Sequence, residues 1–320
     1  MEYRQLGSSD LKVSTIGLGN MSWPWCLFGE KKAKEEVVDA AAIQTMVGTA
    51  LDSGINFFDT AESYGRGLAE ELLGNALSGL GRRNDAIIAT KVGPLFEEEQ
   101  VEGRTCNLSS KHIRARCELS LRRLKTDCID LYMAHWPDSN TPLEDTCEMM
   151  ERLRDEGKIR WFGVSNFDNP MISASLKHVP VVVNQLPYSL IDRKIDADRR
   201  PYCLEQNVGI VAYSPLGKGM LTGKYTEDKL PEDYRLQRPH FAKENLARHL
   251  KLVRRISEIA SDLGTTPTRL VLAWVLAQPG LTATIPGAKT PEQIRDNAGG
   301  GSLHLPEEAL IELNLATASH

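Results

Sequence analysis

The chain contains the stretch Asn56-Phe57-Phe58-Asp59-Thr60-Ala61-Glu62-Ser63-Tyr64-Gly65, which begins as a short apolar run and ends in a polar turn closed by glycine. That change is typical of a buried strand that breaks into a functional loop. A carboxylate, Asp59, stands at the predicted strand end, and a phenol, Tyr64, follows five residues later. A carboxylate there can hold a cation and a phenol can donate a proton. The stretch therefore predicts a site that also needs a lysine and further polar groups.

Strand-like and helix-like segments alternate from the N-terminus to the end of the chain. Strands are predicted at 15–18, 56–59, 86–91, 129–135, 161–165, 181–185, 209–214 and 283–285. Helices are predicted at 41–53, 69–77, 111–124, 143–156, 170–176, 200–205, 246–263, 268–277, 291–298 and 306–316. Eight strand–helix repeats favour an α/β chain closed into a (β/α)8 TIM barrel, with an N-terminal β-hairpin and extra C-terminal helices and loops. Because no linker is visible, we expect one domain over 1–320.

Two glycine-rich segments resemble nucleotide-binding motifs but do not match them. The segment 17–22 has two glycines of a dinucleotide fingerprint but lacks the third, and no acidic ribose partner is well placed. The segment 217–224 resembles a phosphate-binding loop loosely, but Lys218 stands where glycine is required and Tyr225 replaces Ser or Thr. An open, doubly wound sheet therefore gains no support. The long polar stretch 217–245 is predicted to be a lid or a binding loop instead.

The composition is that of an ordinary globular chain, with 25% charged and 41% hydrophobic residues among 320. Its 38 basic and 43 acidic side chains give a formal net charge of −5, which offers no support for a nucleic-acid or anionic-membrane partner. No apolar run of about 18 residues predicts a membrane span, and the N-terminus lacks the apolar region of a secretory signal. The six cysteines form no CxxC pair, so we expect reduced thiols in a cytoplasmic protein.

The histidines and the one acidic run do not predict a further site. The seven histidines form no ligand-spaced cluster, so no metal is expected. The acidic run Glu97-Glu98-Glu99 is predicted to be a solvated loop. A monomer is favoured because no apolar helix face is left over, although a homo-oligomer stays open.

Polar groups follow several predicted strands, and in a barrel all such strand ends face one site. They are Asp59, Lys91, His135, Ser165, Asn166, Gln185, Tyr213, Ser214 and Gly287. Lys91 ends an apolar strand and must pair when buried, with Asp59 as the obvious partner. A cation beside Tyr64 is expected to lower the pKa of the phenol, while His135 can hydrogen-bond a carbonyl oxygen. Together these groups predict proton delivery to a carbonyl that receives hydride from elsewhere.

Several motifs in order resemble the aldo-keto reductases, from Arg4-Gln5-Leu6-Gly7 to about Ala298. They are 54–65, Thr90-Lys91-Val92, Gly163-Val164-Ser165-Asn166-Phe167, Tyr213-Ser214-Pro215-Leu216-Gly217 and Ile285-Pro286-Gly287-Ala288. The tail resembles the bacterial members and the potassium-channel β subunits rather than the animal aldose reductases. The resemblance implies a barrel that binds NADPH, with Asp59, Tyr64, Lys91 and His135 as the catalytic residues and Tyr64 as the acid.

The same resemblance implies the cofactor contacts. Nicotinamide would meet Ser165, Asn166, Gln185 and Tyr213, and pyrophosphate would meet the backbone at Ser214, Leu216 and Gly217. Phosphates would be held from outside by Lys224 and Arg235, and adenosine would be lined by Gly287, Lys289, Gln293, Asp296 and Asn297. NADP is favoured over NAD because Lys224, Arg235 and Lys289 can meet a 2′-phosphate. Three tryptophans, Trp23, Trp25 and Trp136, are candidates for the wall of a substrate pocket, with packed loop anchors as the alternative reading of the first two.

The expected function is NADPH-dependent reduction of an aldehyde or ketone by hydride transfer, with a small-molecule carbonyl as the substrate. A second class is a cofactor-sensing regulatory partner similar to the channel β subunits, although the chain begins almost at its barrel and no long N-terminal arm is expected. A third class, a barrel hydrolase with paired carboxylates, is disfavoured because Asp59 beside Lys91 is a poor general acid.

Overall fold

The structure is a computed structural model that describes residues 1–23, 39–100 and 105–317. It begins with an antiparallel hairpin of β1 (Tyr3–Gln5) and β2 (Lys12–Ser14), as predicted. The hairpin turn presses on the barrel, because a Cβ on Gly7 would lie 2.1 Å from the carbonyl oxygen of Val182. Only glycine fits there, since its φ of 53° is also left-handed.

Eight parallel strands follow and form the predicted barrel. They are β3 (Leu18–Gly19), β4 (Phe57–Asp59), β5 (Ile87–Val92), β6 (Ile129–Ala134), β7 (Ile159–Ser165), β8 (Val181–Pro187), β9 (Gly209–Tyr213) and β10 (Leu281–Ile285). Neighbours along the chain are neighbours in the sheet, in the order β3 to β10. Backbone hydrogen bonds join the first strand to the last: Gly17 N donates to Thr284 O, and Thr284 N donates to Thr15 O, both at 2.8 Å. The (β/α)8 class is confirmed.

The helices surround this sheet. They are α1 (Ala40–Asp52), α2 (Leu68–Leu80), α3 (Ser110–Leu124), α4 (Leu143–Asp155), α5 (Asn169–Ser175), α6 (Arg199–Glu205), α7 (Lys243–Asp262), α8 (Pro267–Leu276), α9 (Pro291–Gly300) and α10 (Glu307–Thr317). Local chemistry sets their starts: the carboxylate of Asp39 accepts from Ala41 N at 3.0 Å, and Thr266 Oγ1 accepts from Arg269 N at 3.2 Å. Predicted and observed helix ends agree within three residues.

Side chains alternate between the inside and the outside of the barrel, as strands require. The interior cluster contains Phe57, Ala89, Met133, Val183 and Val211, and the hairpin residues Leu6, Leu11 and Val13 belong to the same cluster. The outward residues of the strands pack against the helices in a second, larger cluster. Every second side chain of a strand points inward. The residue two positions after each of the five interior strand residues therefore also points inward, at the mouth of the barrel. Those residues are Asp59, Lys91, His135, Gln185 and Tyr213.

The acidic run Glu97–Glu99 differs in part from its prediction as a solvated loop. Glu98 Oε2 accepts from Arg66 Nη2 at 3.0 Å, and Glu99 forms an ion pair with Arg116 and accepts from Phe96 N at 3.1 Å. Glu97 and Glu98 are exposed, in agreement with the predicted solvation, whereas Glu99 is half-buried and the partners of the run were not predicted. Their partners come from segments that are distant in sequence, so a charge run read alone does not reveal them.

Candidate active site

Lys91 is at the centre of the mouth and is fully buried. Its Nζ lies 2.7 Å from Asp59 Oδ1, 2.7 Å from the carbonyl oxygen of Thr60 and 3.3 Å from Tyr64 Oη. Burial lowers the pKa of Lys91, but the charge of Asp59, the electrostatic interaction with Tyr64 and the hydrogen bonds to both outweigh it, so the net pKa is raised. The lysine is therefore a fixed positive charge, as its sequence context predicted.

Asp59 is held on both of its oxygens. Oδ1 takes the ion pair with Lys91, and Oδ2 accepts from Gln185 Nε2 at 2.7 Å. The carboxylate is 2% exposed, so these partners replace the water that it loses. Gln185 is thereby oriented by the ion pair, and its carboxamide oxygen is the atom left to face a ligand. Sequence reasoning had assigned Gln185 only a cofactor contact.

Tyr64 enters the mouth from the loop after β4. It opens a short turn, Tyr64–Gly67, in which Gly65 and Arg66 both have φ of 58°. Burial raises the pKa of Tyr64, and Lys91 only partly offsets it while Asp59 adds to it. The expected lowering of this pKa is wrong, because the prediction weighed the lysine charge without the desolvation of the phenolate or the nearby carboxylate. Tyr64 is thus a firmly protonated phenol.

His135 lies across from Tyr64, with ring centroids 5.8 Å apart and the rings at 78°. Its Nδ1 is buried and has no hydrogen-bond partner in the described residues. Burial, followed by the charge of Lys91, holds the pKa of His135 well below its usual value of 6.5. The imidazole is therefore neutral near pH 7 and has one N–H to donate. Which ring nitrogen carries that hydrogen follows from the ligand it meets.

A second group of polar side chains lies on β7 to β9. The Ser165 hydroxyl donates to Gln185 O at 2.9 Å, and Asn166 Nδ2 donates to Ser165 Oγ at 3.0 Å and to His135 O at 3.1 Å. Tyr213 Oη donates to Asn166 Oδ1 at 2.9 Å. Asn166 holds a left-handed φ of 65°, a conformation that asparagine tolerates better than most residues. The network connects Ser165, Asn166, Gln185 and Tyr213, which were all predicted as cofactor contacts, to His135.

Three cations, Lys224, Arg235 and Lys289, form one electrostatic group. Lys224 has a pKa lowered first by partial burial and then by the charges of Arg235 and Lys289, so the three act on one another. Arg235 is not free to move, because its Nε lies 2.7 Å from Asp233 Oδ1 and its Nη2 lies 2.5 Å from Asp233 Oδ2. The sequence predicts a phosphate contact for Arg235 but not its ion pair with Asp233.

The turn after β9 carries Lys218. The sequence did not predict this lysine as a site residue, because the segment around it does not match a phosphate-binding loop. Gly217 N donates to Ser214 O at 3.0 Å, and Ser214, Gly217 and Lys218 have φ of 53°, 54° and 56°. Lys218 is half-buried, and burial and Arg238 lower its pKa. No carboxylate within the described residues forms an ion pair with it. A lysine between two glycines just after a strand end was the available signal.

Residues 15–315 match the profile of the Aldo/keto reductase family. The chain belongs to the aldo-keto reductase family. It is 35% identical over 297 residues to Aldo-keto reductase YhdN of Bacillus subtilis (strain 168), a match that covers 92% of this chain and 87% of that protein. It is 33% identical over 314 residues to a probable voltage-gated potassium channel subunit beta of Arabidopsis thaliana. That match covers 93% of this chain and 90% of the plant protein.

Solved structures of other aldo-keto reductases have the same fold. The glycerol dehydrogenase AKR11B4 from Gluconobacter oxydans is 30% identical with a TM-score of 0.88, over 100% of this chain and 96% of that one. The holo form of aldo-keto reductase AKR11C1 from Bacillus halodurans is 30% identical with a TM-score of 0.79, over 99% and 96%. The family resemblance is confirmed, and membership makes the chain an oxidoreductase of a family that uses nicotinamide cofactors.

The residues of this aldo-keto reductase that were predicted to line adenosine differ in their hydrogen-bond partners. Gln293 Oε1 accepts from Lys289 N at 2.8 Å, and Asn297 Nδ2 donates to Gly287 O at 3.4 Å, so these four shape one turn. Asp296 instead accepts from Arg269 Nε and Thr266 Oγ1, both at 2.9 Å. Its carboxylate is therefore engaged with α8. Its partners lie about 30 residues away in the chain, which the motif did not reveal.

The three predicted pocket tryptophans have different surroundings. Trp23 is 1% exposed and packs in the outer core, which is the arrangement of a packed loop anchor rather than a pocket wall. Trp25 lies outside the described residues. Trp136 is 47% exposed and lies near-parallel to His135, with ring centroids 6.4 Å apart, so it remains a candidate for contact with a substrate.

Neither a metal site nor a membrane-spanning helix occurs among the described residues. No group of three potential metal ligands occurs within 1–23, 39–100 and 105–317. In the same part of the chain, no helix is both long enough and apolar enough to cross a membrane.

Proposed function

We propose that this protein catalyses the NADPH-dependent reduction of an aldehyde or ketone to an alcohol. The observation that carries the proposal is the position of Lys91 Nζ, 2.7 Å from Asp59 Oδ1 and 3.3 Å from Tyr64 Oη. An ammonium group between a carboxylate and a phenol gives the neutral phenol little electrostatic stabilisation. It stabilises the phenolate that remains after the proton has left, and this is the requirement for an acid that protonates a carbonyl oxygen.

Each side chain has one role in this scheme. Tyr64 donates its proton to the carbonyl oxygen as that oxygen gains negative charge. Lys91 stabilises the phenolate that forms, and Asp59 keeps Lys91 charged and in place. His135, which is neutral, donates a hydrogen bond that orients the same oxygen. When bound, the nicotinamide supplies the hydride that the carbonyl carbon accepts.

The residues along β7 to β9 suit a nicotinamide carboxamide. Ser165 Oγ and Asn166 Oδ1 each accept one hydrogen bond and keep a second acceptor lone pair. Gln185 presents its oxygen because its NH₂ group is bound to Asp59. Tyr213 is the aromatic group beside them and would stack on the ring. We propose that the backbone at Ser214, Leu216 and Gly217 approaches the pyrophosphate, with Lys218 as an additional cation.

The cationic end supports NADP over NAD. Lys224, Arg235 and Lys289 lie within electrostatic reach of one another, and cations held together without enough carboxylates suit a phosphate dianion. Asp233 forms its ion pair with Arg235, and its single negative charge acts on all three cations. Gly287, Gln293 and Asn297 would line the adenosine, whereas Asp296 would act through Arg269.

We further propose that 1–320 forms one barrel domain that works as a cytoplasmic monomer. Both ends of the chain support the single domain: Glu2 N donates to Gly301 O at 3.0 Å, and Arg193 Nη1 donates to Thr317 Oγ1 at 2.8 Å. Size-exclusion chromatography with light scattering checks the monomer.

The direct test is consumption of NADPH across a panel of carbonyls, with NADH in parallel. Sugars, steroid ketones, pyridoxal and small aldehydes cover the main classes, and the alcohol product is identified by mass spectrometry. Turnover with NADPH on at least one class supports the proposal. Absence of turnover on the whole panel, from protein that binds NADPH, argues against it.

A second candidate is a cofactor-sensing regulatory partner, which the match to the Arabidopsis thaliana channel subunit favours. It predicts a stoichiometric membrane-protein partner in a pull-down and no turnover on any carbonyl. Turnover at an ordinary enzymatic rate, with no such partner, excludes it as the main function.

A further inference from the structure

Glu62 is a buried carboxylate two residues before Tyr64, and the proposed mechanism does not use it. It is 1% exposed, so its charge needs partners inside the protein. Its own N–H donates to Lys91 O at 3.3 Å, and its Oε1 accepts from Gly93 N at 3.1 Å. Glu62 is thus hydrogen-bonded to the residues on either side of Val92, and one of these is Lys91 itself.

The other oxygen of Glu62 faces an arginine. Arg116 Nε of α3 lies 3.4 Å from Glu62 Oε2, and the arginine side chain is only 12% exposed. Arg116 is itself held by an ion pair with Glu99 and by the ring of Phe96, whose centroid lies 5.4 Å from the guanidinium carbon. The carboxylate is therefore built into a chain of contacts from the Tyr64 loop through α3 to the loop after β5.

The same loop also holds the residues after Tyr64. Arg66 also lies over the Phe96 ring, 4.9 Å from its centroid, and forms an ion pair with Glu98. Arg66 has a left-handed φ of 58°, a strained conformation for a non-glycine residue that persists only where neighbours hold it. Tyr64 is thus flanked by two residues, Glu62 and Arg66, that are both tied to the segment Phe96–Glu99.

We propose that Glu62 is a positioning residue for the reduction: its ionised carboxylate, paired with Arg116, fixes the Tyr64 loop to the end of β5 and so sets the distance from the phenol to Lys91. The inference rests on the proposed function, because it assigns Glu62 its role through Tyr64. A displacement of about 1 Å in such a group can reduce a rate by as much as 100-fold.

The surroundings of Glu62 make this contact depend on pH. Burial raises the pKa of Glu62 to about 7, and Arg116 and the N–H of Gly93 only partly offset the burial. Glu70 of α2 raises the same pKa and Arg123 of α3 lowers it. From β6, Tyr132 also faces Glu62, whose charge raises the pKa of that buried phenol. The ion pair with Arg116 is therefore complete only above neutral pH, and the rate is expected to rise through an ionisation near 7.

The test compares the pH dependence of kcat in wild type, Glu62→Gln and Arg116→Met. Glu71→Gln is the matched control, since Glu71 is an exposed carboxylate of α2 in the same region. We expect kcat of Glu62→Gln at pH 8 to fall about 10- to 100-fold with the NADPH dissociation constant unchanged, and the ionisation near 7 to vanish. Arg116→Met leaves Glu62 without its cation, so the ionisation is expected to move to higher pH. Glu71→Gln should match wild type.

The outcomes separate this inference from the proposed function. If Tyr64→Phe is inactive while Glu62→Gln keeps the wild-type kcat and pH profile, the role of Glu62 is wrong and the function stands. If Tyr64→Phe turns over like wild type, the proposed function itself fails. Should Glu62→Gln not fold, Arg116→Lys decides: we expect it to keep the ionisation near 7, and a profile like that of Arg116→Met overturns the proposal.

Discussion

Lys91 Nζ lies 3.3 Å from Tyr64 Oη but 4.9 Å from the centroid of the tyrosine ring. The positive charge is therefore closer to the oxygen than to the face of the ring. Coulombic stabilisation falls with distance, so this lysine acts mainly on the charge that develops on the oxygen. Together with the raised pKa of Tyr64, the contact describes an acid that keeps its proton until a carbonyl oxygen takes it.

Lys91→Met is expected to reduce kcat at least 100-fold, because the phenolate loses the cation that stabilises it. It also leaves Asp59 buried without its counter-charge, which is expected to lower the free energy of unfolding by about 3–5 kcal/mol. Urea unfolding followed by circular dichroism measures that loss. The double variant Lys91→Met/Asp59→Asn should recover most of the stability and none of the activity. Recovered activity in the double variant would show that the charge on Lys91 is dispensable.

His135 is expected to stay neutral at every pH used for assays above about 6. Its pKa is depressed by burial and by Lys91, so below 6.5 the unfolded chain binds a proton that the folded chain does not. Stability contributed by His135 is thus lost as the pH falls, by up to about 1.4 kcal/mol per pH unit. Unfolding of wild type and His135→Gln at pH 7.5 and 5.5 measures the difference, which should favour the variant at pH 5.5. An equal pH dependence in both proteins contradicts the depressed pKa.

Lys224→Met is expected to raise KM for NADPH about tenfold and to leave KM for NADH unchanged, because the lysine is assigned to a phosphate that NADH lacks. Steady-state kinetics with both cofactors provides the measurement. Lys229→Met is the control, since Lys229 is an exposed lysine of the same stretch. A parallel change for both cofactors would assign Lys224 to the pyrophosphate instead.

Asp233→Asn removes the carboxylate that forms an ion pair with Arg235. Removing its charge frees the guanidinium from the ion pair at 2.5 Å and raises the net positive charge of the site. We expect tighter NADPH binding, by about tenfold, measured by fluorescence titration, with little change for NADH. Weaker NADPH binding would mean that Asp233 is needed to orient Arg235 rather than to compete for it.

The sequence predicted the barrel and the inner site because both depend on short-range patterns. Period-two alternation on each strand makes the residue after Phe57-Phe58 or Ala89-Thr90 an inward-facing group at the barrel mouth, so Asp59 and Lys91 were readable. What was missed depends on contacts between distant segments. Arg66 and Arg116 reach the acidic run from 32 and 17 positions away. The exception is the local pair of Asp233 and Arg235, whose contact depends on a loop path that no pattern specifies.

The sign of the Tyr64 pKa was missed for a different reason. A lysine in the motif is visible in the sequence, but the desolvation that opposes it depends on how deeply the fold buries the phenol. Glu62 was likewise quoted as part of a motif without a role, because neither its burial nor its pairing with Arg116, which is 54 positions away in the numbering, is local. Such energies require the packed structure.

The central claim is that Tyr64 is the proton donor, and Tyr64→Phe tests it most directly. The variant removes one hydroxyl and keeps the ring, so NADPH binding should be close to wild type while kcat for carbonyl reduction falls by about 10²–10⁴-fold. Single-turnover oxidation of bound NADPH, followed by absorbance, measures the chemical step apart from product release. Loss of that step with intact NADPH binding is the predicted result, and a wild-type rate of hydride transfer in Tyr64→Phe would contradict the account.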